Sequence, residues 1–166
     1  MLVGIMSDSH GDAEATAGAV QLLTQHGAKK LFHCGDIGGQ DVLAQLAGYD
    51  VVFVWGNCDE PAAALRGCVA SLGLPWPQPP VRVEINGKRI AVFHGHETSF
   101  ASAANDPTLD YLFHGHTHRY ADHHKGRCRV INPGALYRAS IKTVATLDLL
   151  RDDLHFWRID TGDEIR

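Results

Sequence analysis

The chain has 166 residues, of which 45% are apolar and 20% charged, with a formal net charge of -4. A chain of this length buries a core without disulfides or structural metal and is expected to form a single domain over residues 1–166. The acidic balance disfavours sequence-independent nucleic-acid binding, and no apolar run approaches the roughly 18 residues that a membrane helix needs. Small acidic substrates stay open, because bound divalent ions can reverse the field inside a cleft. Cys34, Cys58, Cys68 and Cys128 have no CxxC spacing, which predicts reduced thiols in a cytoplasmic protein.

Leu2-Val3-Gly4-Ile5-Met6 is an unbroken apolar run, the pattern of a strand covered on both faces, and without a basic leader it reads as a first strand rather than a signal peptide. It ends in Ser7-Asp8-Ser9-His10-Gly11-Asp12. Residues 13–26 predict a helix with Ala17, Val20, Leu22 and Leu23 on one face, Asp12 as N-cap and Gly27 as the stop. Lys30 to His33 is a second strand running into Cys34-Gly35-Asp36-Ile37-Gly38-Gly39, with a short helix over 40–47. Tyr49 to Trp55 is a third, ending in Gly56-Asn57-Cys58-Asp59. Each apolar strand delivers a turn rich in Gly and Asp, and in open α/β sheets such turns converge beyond the carboxyl ends of the strands.

A helix over 60–71 and a proline-rich connector over 74–80 follow. Val81 to Ile85 alternates, and Asn86-Gly87 is a strong hairpin signal joining it to Lys88–Phe93, so the chain changes here from parallel to antiparallel. That strand ends in His94-Gly95-His96. A helix near 99–104 and a strand over 109–113 lead to His114-Gly115-His116-Thr117-His118. Residues 127–131, a turn at Asn132-Pro133-Gly134, and the runs 142–150 and 154–159 read as an antiparallel meander with a hairpin at 151–153. His123, His124 and Lys125 read as a solvated hairpin tip.

Three imidazoles around one glycine at a strand exit are too costly to bury unpartnered and are explained by metal ions that use neutral ring nitrogens. The strand ends together offer Asp8, His10, Asp36, Asn57, His94, His116 and His118. Carboxylates, one amide and several imidazoles without a thiolate cluster suit Mn²⁺, Fe or Zn²⁺ in five- or six-coordinate sites, and the count implies two ions. Singly, each residue has a plainer reading: Asp8 as a helix cap, Asn57 as an Asx turn, Asp36 as a turn carboxylate, His10 or His94 as a satisfied surface histidine.

The order D-x-H, G-D, G-N-C-D, H-G-H and G-H-x-H, spanning Asp8 to His118, closely resembles the calcineurin-like metallophosphoesterase superfamily. The short chain and the Gly-Asn-Cys-Asp block resemble its small bacterial and archaeal phosphodiesterases, a branch that includes the retromer scaffold subunit. The resemblance implies an α/β fold, a four-layer α/β/β/α sandwich of two mixed sheets flanked by helices. It also implies a metal-dependent phosphodiesterase in which Asp8, His10 and His118 hold one divalent ion and Asn57, His94 and His116 a second, with Asp36 bridging. Mn is the expected metal, with Fe, Zn, Ni or Co as alternatives. A small phosphate ester is the expected substrate, with no membrane partner and with a homo-oligomer left open. The alternative is a non-catalytic metal-binding scaffold of the same fold.

Cys58 departs from the histidine usual in the superfamily, and a thiol donates a proton less readily than imidazolium at neutral pH. His96 is then the candidate acid, its plainer reading an exposed loop histidine. Cys58 itself reads best as a small apolar filler. Asp59 either orients a metal histidine or caps a helix starting at Pro61. His33 and His114 are expected to pack beneath the site, and Tyr137 and Arg138 to reach toward phosphate.

Overall fold

The computed structural model describes residues 1–59 and 63–165. In chain order the elements are β1 (Leu2–Met6), α1 (Ala13–Gln25), β2 (Lys30–His33), α2 (Gln40–Leu46), β3 (Val51–Phe53), α3 (Ala63–Ser71), β4 (Val81–Ile85) and β5 (Lys88–Val92). They continue with α4 (Phe100–Ala104), β6 (Tyr111–Phe113), β7 (Tyr120–Lys125), β8 (Cys128–Pro133), β9 (Thr143–Asp148), β10 (Asp153–Arg158) and β11 (Glu164–Ile165). They form two mixed sheets, one in the order β11-β10-β9-β1-β2-β3 and the other β4-β5-β6-β8-β7. In the first, β1, β2 and β3 are parallel, and in the second, β5, β6 and β8 are parallel.

Alternation along the strands builds the layers. Val3 and Ile5 of β1 face Ile90 and Val92 of β5 and Phe113 of β6 in the core between the sheets, where Phe32 and Phe113 meet edge to face at 5.1 Å. Met6, Leu31, Val51 and Phe53 point the other way, onto α1, α2 and α3. Ala91, Leu112 and Val130 point away from the first sheet, onto Ala103 and Ala104 of α4. The result is the expected α/β/β/α sandwich.

Local signals fix most elements. Asp12 caps α1 by accepting the Ala15 N–H at 2.9 Å, and Gly27 closes the helix at φ 93°. Asn86 and Gly87 both have positive φ, as their hairpin turn demands. Several expectations need correction. The buried face of α1 carries Thr16, Ala19, Val20 and Leu23, while Ala17 is exposed, because the helix packs one residue around from the face first read. The third strand is confined to Val51–Phe53. The expected start of the third helix, at 60–62, lies outside the described residues. Residues 120–125 form an edge strand whose exposed end, His123, His124 and Lys125, runs into the hairpin turn at 126–127, and Asn132 and Pro133 belong to β8, paired with Ala121 and Tyr120. The meander therefore holds only β9, β10 and β11, since β8 lies in the other sheet and runs parallel to β6.

Candidate metal centre

The strands β1, β2, β3, β5 and β6 all end at one margin of the sandwich, and their exit loops are joined by backbone bonds. The Asp8 N–H donates to the Gly35 carbonyl at 3.0 Å, the His10 N–H to Asp36 at 2.8 Å, and the Gly115 N–H to His94 at 2.9 Å. Asp8, His10, Asp36, His116 and His118 all adopt left-handed φ between 44° and 70°. Asp and His tolerate that region better than most side chains, yet each such residue costs something, and clusters of them mark functional loops. Gly56 makes the close approach possible, since a Cβ there would lie 2.0 Å from Asp36 Oδ1.

These loops bring all seven sequence-derived candidates to one place. Asp8, His10 and His118 offer donor atoms within 4.8 Å of one another, as do Asp8, Asp36 and His94. His118 Nε2 lies 3.3 Å from Asp8 Oδ1 and 3.2 Å from His10 Nε2. Asp36 Oδ2 lies 3.4 Å from His10 Nε2 and 3.3 Å from His94 Nε2. His94 Nε2 is also 3.0 Å from Asn57 Oδ1 and 3.3 Å from His116 Nδ1.

The tautomer of His94 decides what this cluster is for. Its Nδ1 lies 2.8 Å from the Cys34 carbonyl, which can only accept, so Nδ1 carries the proton and Nε2 is left with a lone pair. That lone pair faces the carboxylate oxygen of Asp36 and the amide oxygen of Asn57. Three acceptors at such separations repel unless a cation lies among them, and a mixed O/N donor set fits a divalent ion. Burial raises the pKa of Asp8 above the ordinary carboxylate range, only partly countered by Ser7, His94, His118 and the His116 N–H. Burial also acts upward on Asp36, but the Cys58 N–H, His94 and His10 outweigh it and hold this carboxyl below its usual range.

A ring of supporting residues holds the donors. Glu97 accepts the His94 N–H at 2.8 Å and the Gly95 N–H at 2.7 Å. The Asn132 amide donates to the Gly115 carbonyl at 2.8 Å and to Thr117 Oγ1 at 3.0 Å, fixing the loop that carries His116 and His118. His33 and His114 are buried beneath the site, His33 against Ser9 Oγ at 2.7 Å. Glu97 and Asn132 carry no sequence signal as positioning residues, because their partners are backbone groups.

Two expectations about the third loop change. Cys58 is exposed, with its backbone N–H on Asp36 Oδ1 at 2.9 Å, so it fills no core space. Its sulfur instead groups with His10 and Asp36 as a possible donor. Asp59 touches no imidazole. Its carboxylate accepts the N–H groups of Gly56, Ile37 and Gly38 at 2.8, 3.0 and 2.8 Å, pinning the β3 exit loop to the β2 exit loop. The alternative cap at Pro61 lies outside the described residues. His96 is 37% exposed, with its ring 5.4 Å from that of His94. The Tyr137 ring stands 5.6 Å from His10.

A two-sheet sandwich with carboxylate, amide and imidazole donors gathered where both sheets' strands end defines a divalent-metal-binding protein of the α/β/β/α class. The chain belongs to the calcineurin-like phosphoesterase superfamily, whose domain matches residues 1–152. It is 27% identical over 154 residues to Phosphodiesterase MJ0936 of Methanocaldococcus jannaschii, covering 89% of this chain and 93% of that protein. It is 28% identical over 166 residues to Phosphodiesterase YfcE of Escherichia coli K12, covering 89% and 86%. The solved YfcE structure superposes with a TM-score of 0.77 at 26% identity, over 100% of this chain and 97% of that one. Vps29 of Entamoeba histolytica shares the fold, with a TM-score of 0.70 at 20% identity over 99% and 96% of the two chains. These likenesses set the chain in the small prokaryotic branch of the superfamily related to Vps29.

Proposed function

We propose that this protein is a metal-dependent phosphodiesterase that hydrolyses small phosphate esters with two divalent ions and a water molecule. The observation that carries this reading is that Asn57 Oδ1 and Asp36 Oδ2 both approach the lone pair of His94 Nε2, at 3.0 and 3.3 Å, an arrangement of acceptors that a cation would relieve. Asp8, His10 and His118 would hold one ion and Asn57, His94 and His116 the other. Asp36 serves both, since its Oδ2 is within 3.4 Å of ring nitrogens from either group. Bound there, a divalent pair supplies positive charge for phosphate oxygens and lowers the pKa of water toward neutrality.

The rest of the work belongs to the chain. Glu97 and Asn132 keep the histidine loops in register through backbone groups. Asp59 positions the Asn57 loop against Asp36. His96 stands at the rim, where its ring can protonate the departing oxygen, and the Cys58 thiol, on the Asp36 side, is the poorer donor. Tyr137 stands beside His10, with the Arg138 guanidinium 5.2 Å from its ring, and the two would orient phosphate. Mn²⁺ is the metal we assign, with Fe, Zn²⁺, Ni²⁺ and Co²⁺ as competitors. Four free thiols suit a cytoplasmic setting. Among the described residues no helix is long and apolar enough to cross a membrane.

The competing reading, a metal-binding scaffold without activity, draws on the fold shared with Vps29, but a scaffold would tolerate the loss of donors and none of the seven is missing here. The test is to strip the protein with chelator and reload it with Mn²⁺, Ni²⁺, Co²⁺ or Zn²⁺. It is then assayed on chromogenic phosphodiesters and monoesters. Diester turnover that returns with metal is the expected result; a fully loaded protein that hydrolyses neither class is a scaffold.

A further inference from the structure

We infer that the groove beside the metal centre binds the leaving arm of the substrate, and that this arm is uncharged, apolar and at least as large as one aromatic ring. The inference rests on the phosphodiesterase reading and narrows its substrate class. A groove of about 1020 Å³ runs from the exit of β3 along α4. Gly56, Asp59, His96 and Glu97 border it at the donor cluster, so it is continuous with the place where phosphate would sit. At this volume it matches sites that enclose a whole organic group rather than a methyl or a water.

Its walls decide what enters. Trp55, Phe93, Val81, Pro80 and Pro107 are apolar. Most polar groups among the described lining residues are committed elsewhere, apart from the buried Trp55 Nε1–H, which has no partner. The Arg82 guanidinium donates to Asp106 at 3.0 Å, Ser102 Oγ to the Ser99 carbonyl at 2.8 Å, and the Asn105 amide to the Ala101 carbonyl at 2.7 Å. Glu97 and Asp59 are held by backbone N–H groups. A second phosphate or a nucleic-acid backbone would need unpaired cations there, and among the described lining residues the only lysine or arginine is Arg82, paired with Asp106. A neutral aromatic or aliphatic arm instead gains from every wall it covers. His96 at the groove mouth sets the direction: the oxygen that leaves toward His96 carries its organic group into the groove.

The test compares methyl phenyl phosphate with methyl 2-naphthyl phosphate, whose leaving alcohols are of similar acidity, on the Mn²⁺-loaded protein. The naphthyl ester is expected to show a KM at least about fivefold lower at similar kcat. Ser102→Trp, which fills the groove from the exposed side of α4, is expected to erase that difference while leaving metal content unchanged. Asn105→Trp, also on the lining, serves if the first variant misfolds. Equal KM values in the parent protein, or a preference that survives both substitutions, overturn the inference. Should the loaded protein hydrolyse no ester, the phosphodiesterase reading falls instead. Quenching of tryptophan fluorescence by free 2-naphthol, in parent and Ser102→Trp proteins, then still reads the groove. Weak quenching that the variant does not change counts against it.

Discussion

Asp36 is the residue on which both halves of the donor cluster depend, because one oxygen approaches the His10 and His94 rings while the other accepts the Cys58 N–H. Asp36→Asn is expected to abolish diester hydrolysis and lower metal occupancy at both positions. Retention of more than about a tenth of the rate, a loss below about 1.4 kcal/mol of transition-state stabilisation, would defeat the two-ion proposal. His116→Ala should empty mainly the second position, as metal analysis of the purified variant would show. Cys58 tests the leaving group. Partial desolvation, then the neighbouring Asp36 carboxylate, hold its thiol above the ordinary range, so it keeps its proton and gives it up reluctantly. Cys58→Ala should cost aryl diesters less than about tenfold, since phenoxides leave with little help, and Cys58→His should favour poorer leaving groups if Asp59 can reach the new ring. General acid assistance is typically about 10²–10⁴-fold, so His96→Ala should weigh on alkyl esters far more than on aryl ones. A hundredfold loss of aryl diesterase activity in Cys58→Ala, with metals retained, would show the thiol to be catalytic.

At the scale of elements, the loops are tight because their glycines leave no room for a side chain. A Cβ on Gly115 would lie 1.9 Å from Ser7 Oγ and 2.4 Å from Asp8 Oδ2, between the β1 and β6 exits. Gly115→Ala should force these loops apart, lowering metal affinity more than tenfold and stability by about 1–3 kcal/mol, as overpacking does; calorimetric metal titration and urea unfolding check the two arms. This close fit also explains what could be read from sequence. The apolar runs of β1, β2 and β5 and the ligand types at their ends were legible, since buried strands and metal donors both leave compositional marks. The edge strand β7 was not, because five of its six residues, Tyr-Ala-Asp-His-His-Lys, are exposed and nothing in them alternates. Pro133 misled in the same way: a proline ending a strand looks like a turn until its partner Tyr120 is known. Asp59, which the sequence leaves between orienting a histidine and capping a helix, binds amides 3, 21 and 22 positions away, a relation that no local pattern carries.

Across the whole molecule, stability should follow both metal and pH. Ions bound only by the folded chain stabilise it by mass action, so chelation should lower Tm, by an amount that differential scanning with graded Mn²⁺ would follow. Burial drives His33 down from 6.5 to about 3, near His94, Asp36 and His10. The unfolded chain therefore takes up a proton below about 6.5 that the folded chain refuses. Stability is full above that pH and falls as the medium is acidified toward about 3, by up to roughly 1.4 kcal/mol per pH unit from this one group. Urea unfolding of metal-free protein between pH 6.5 and 5 should show a slope that shrinks by about one proton in His33→Gln; an unchanged slope would mean that the ring is not held neutral. The donors come from two sheets: Asp8, His10, Asp36 and Asn57 follow strands of one, and His94, His116 and His118 follow strands of the other. The apolar layer between these sheets resists separation, Tyr111 and Arg129 reach across to Asp152 away from the donors, and directional bonds to a shared cation would oppose both separation and sliding at the donor margin. With the ion bound, the protein would behave mechanically as two leaves riveted along one margin, and pulling the rivet should loosen the leaves from that margin inward, with amide exchange quickening first at the exits of β1, β2, β5 and β6 and last at their opposite ends.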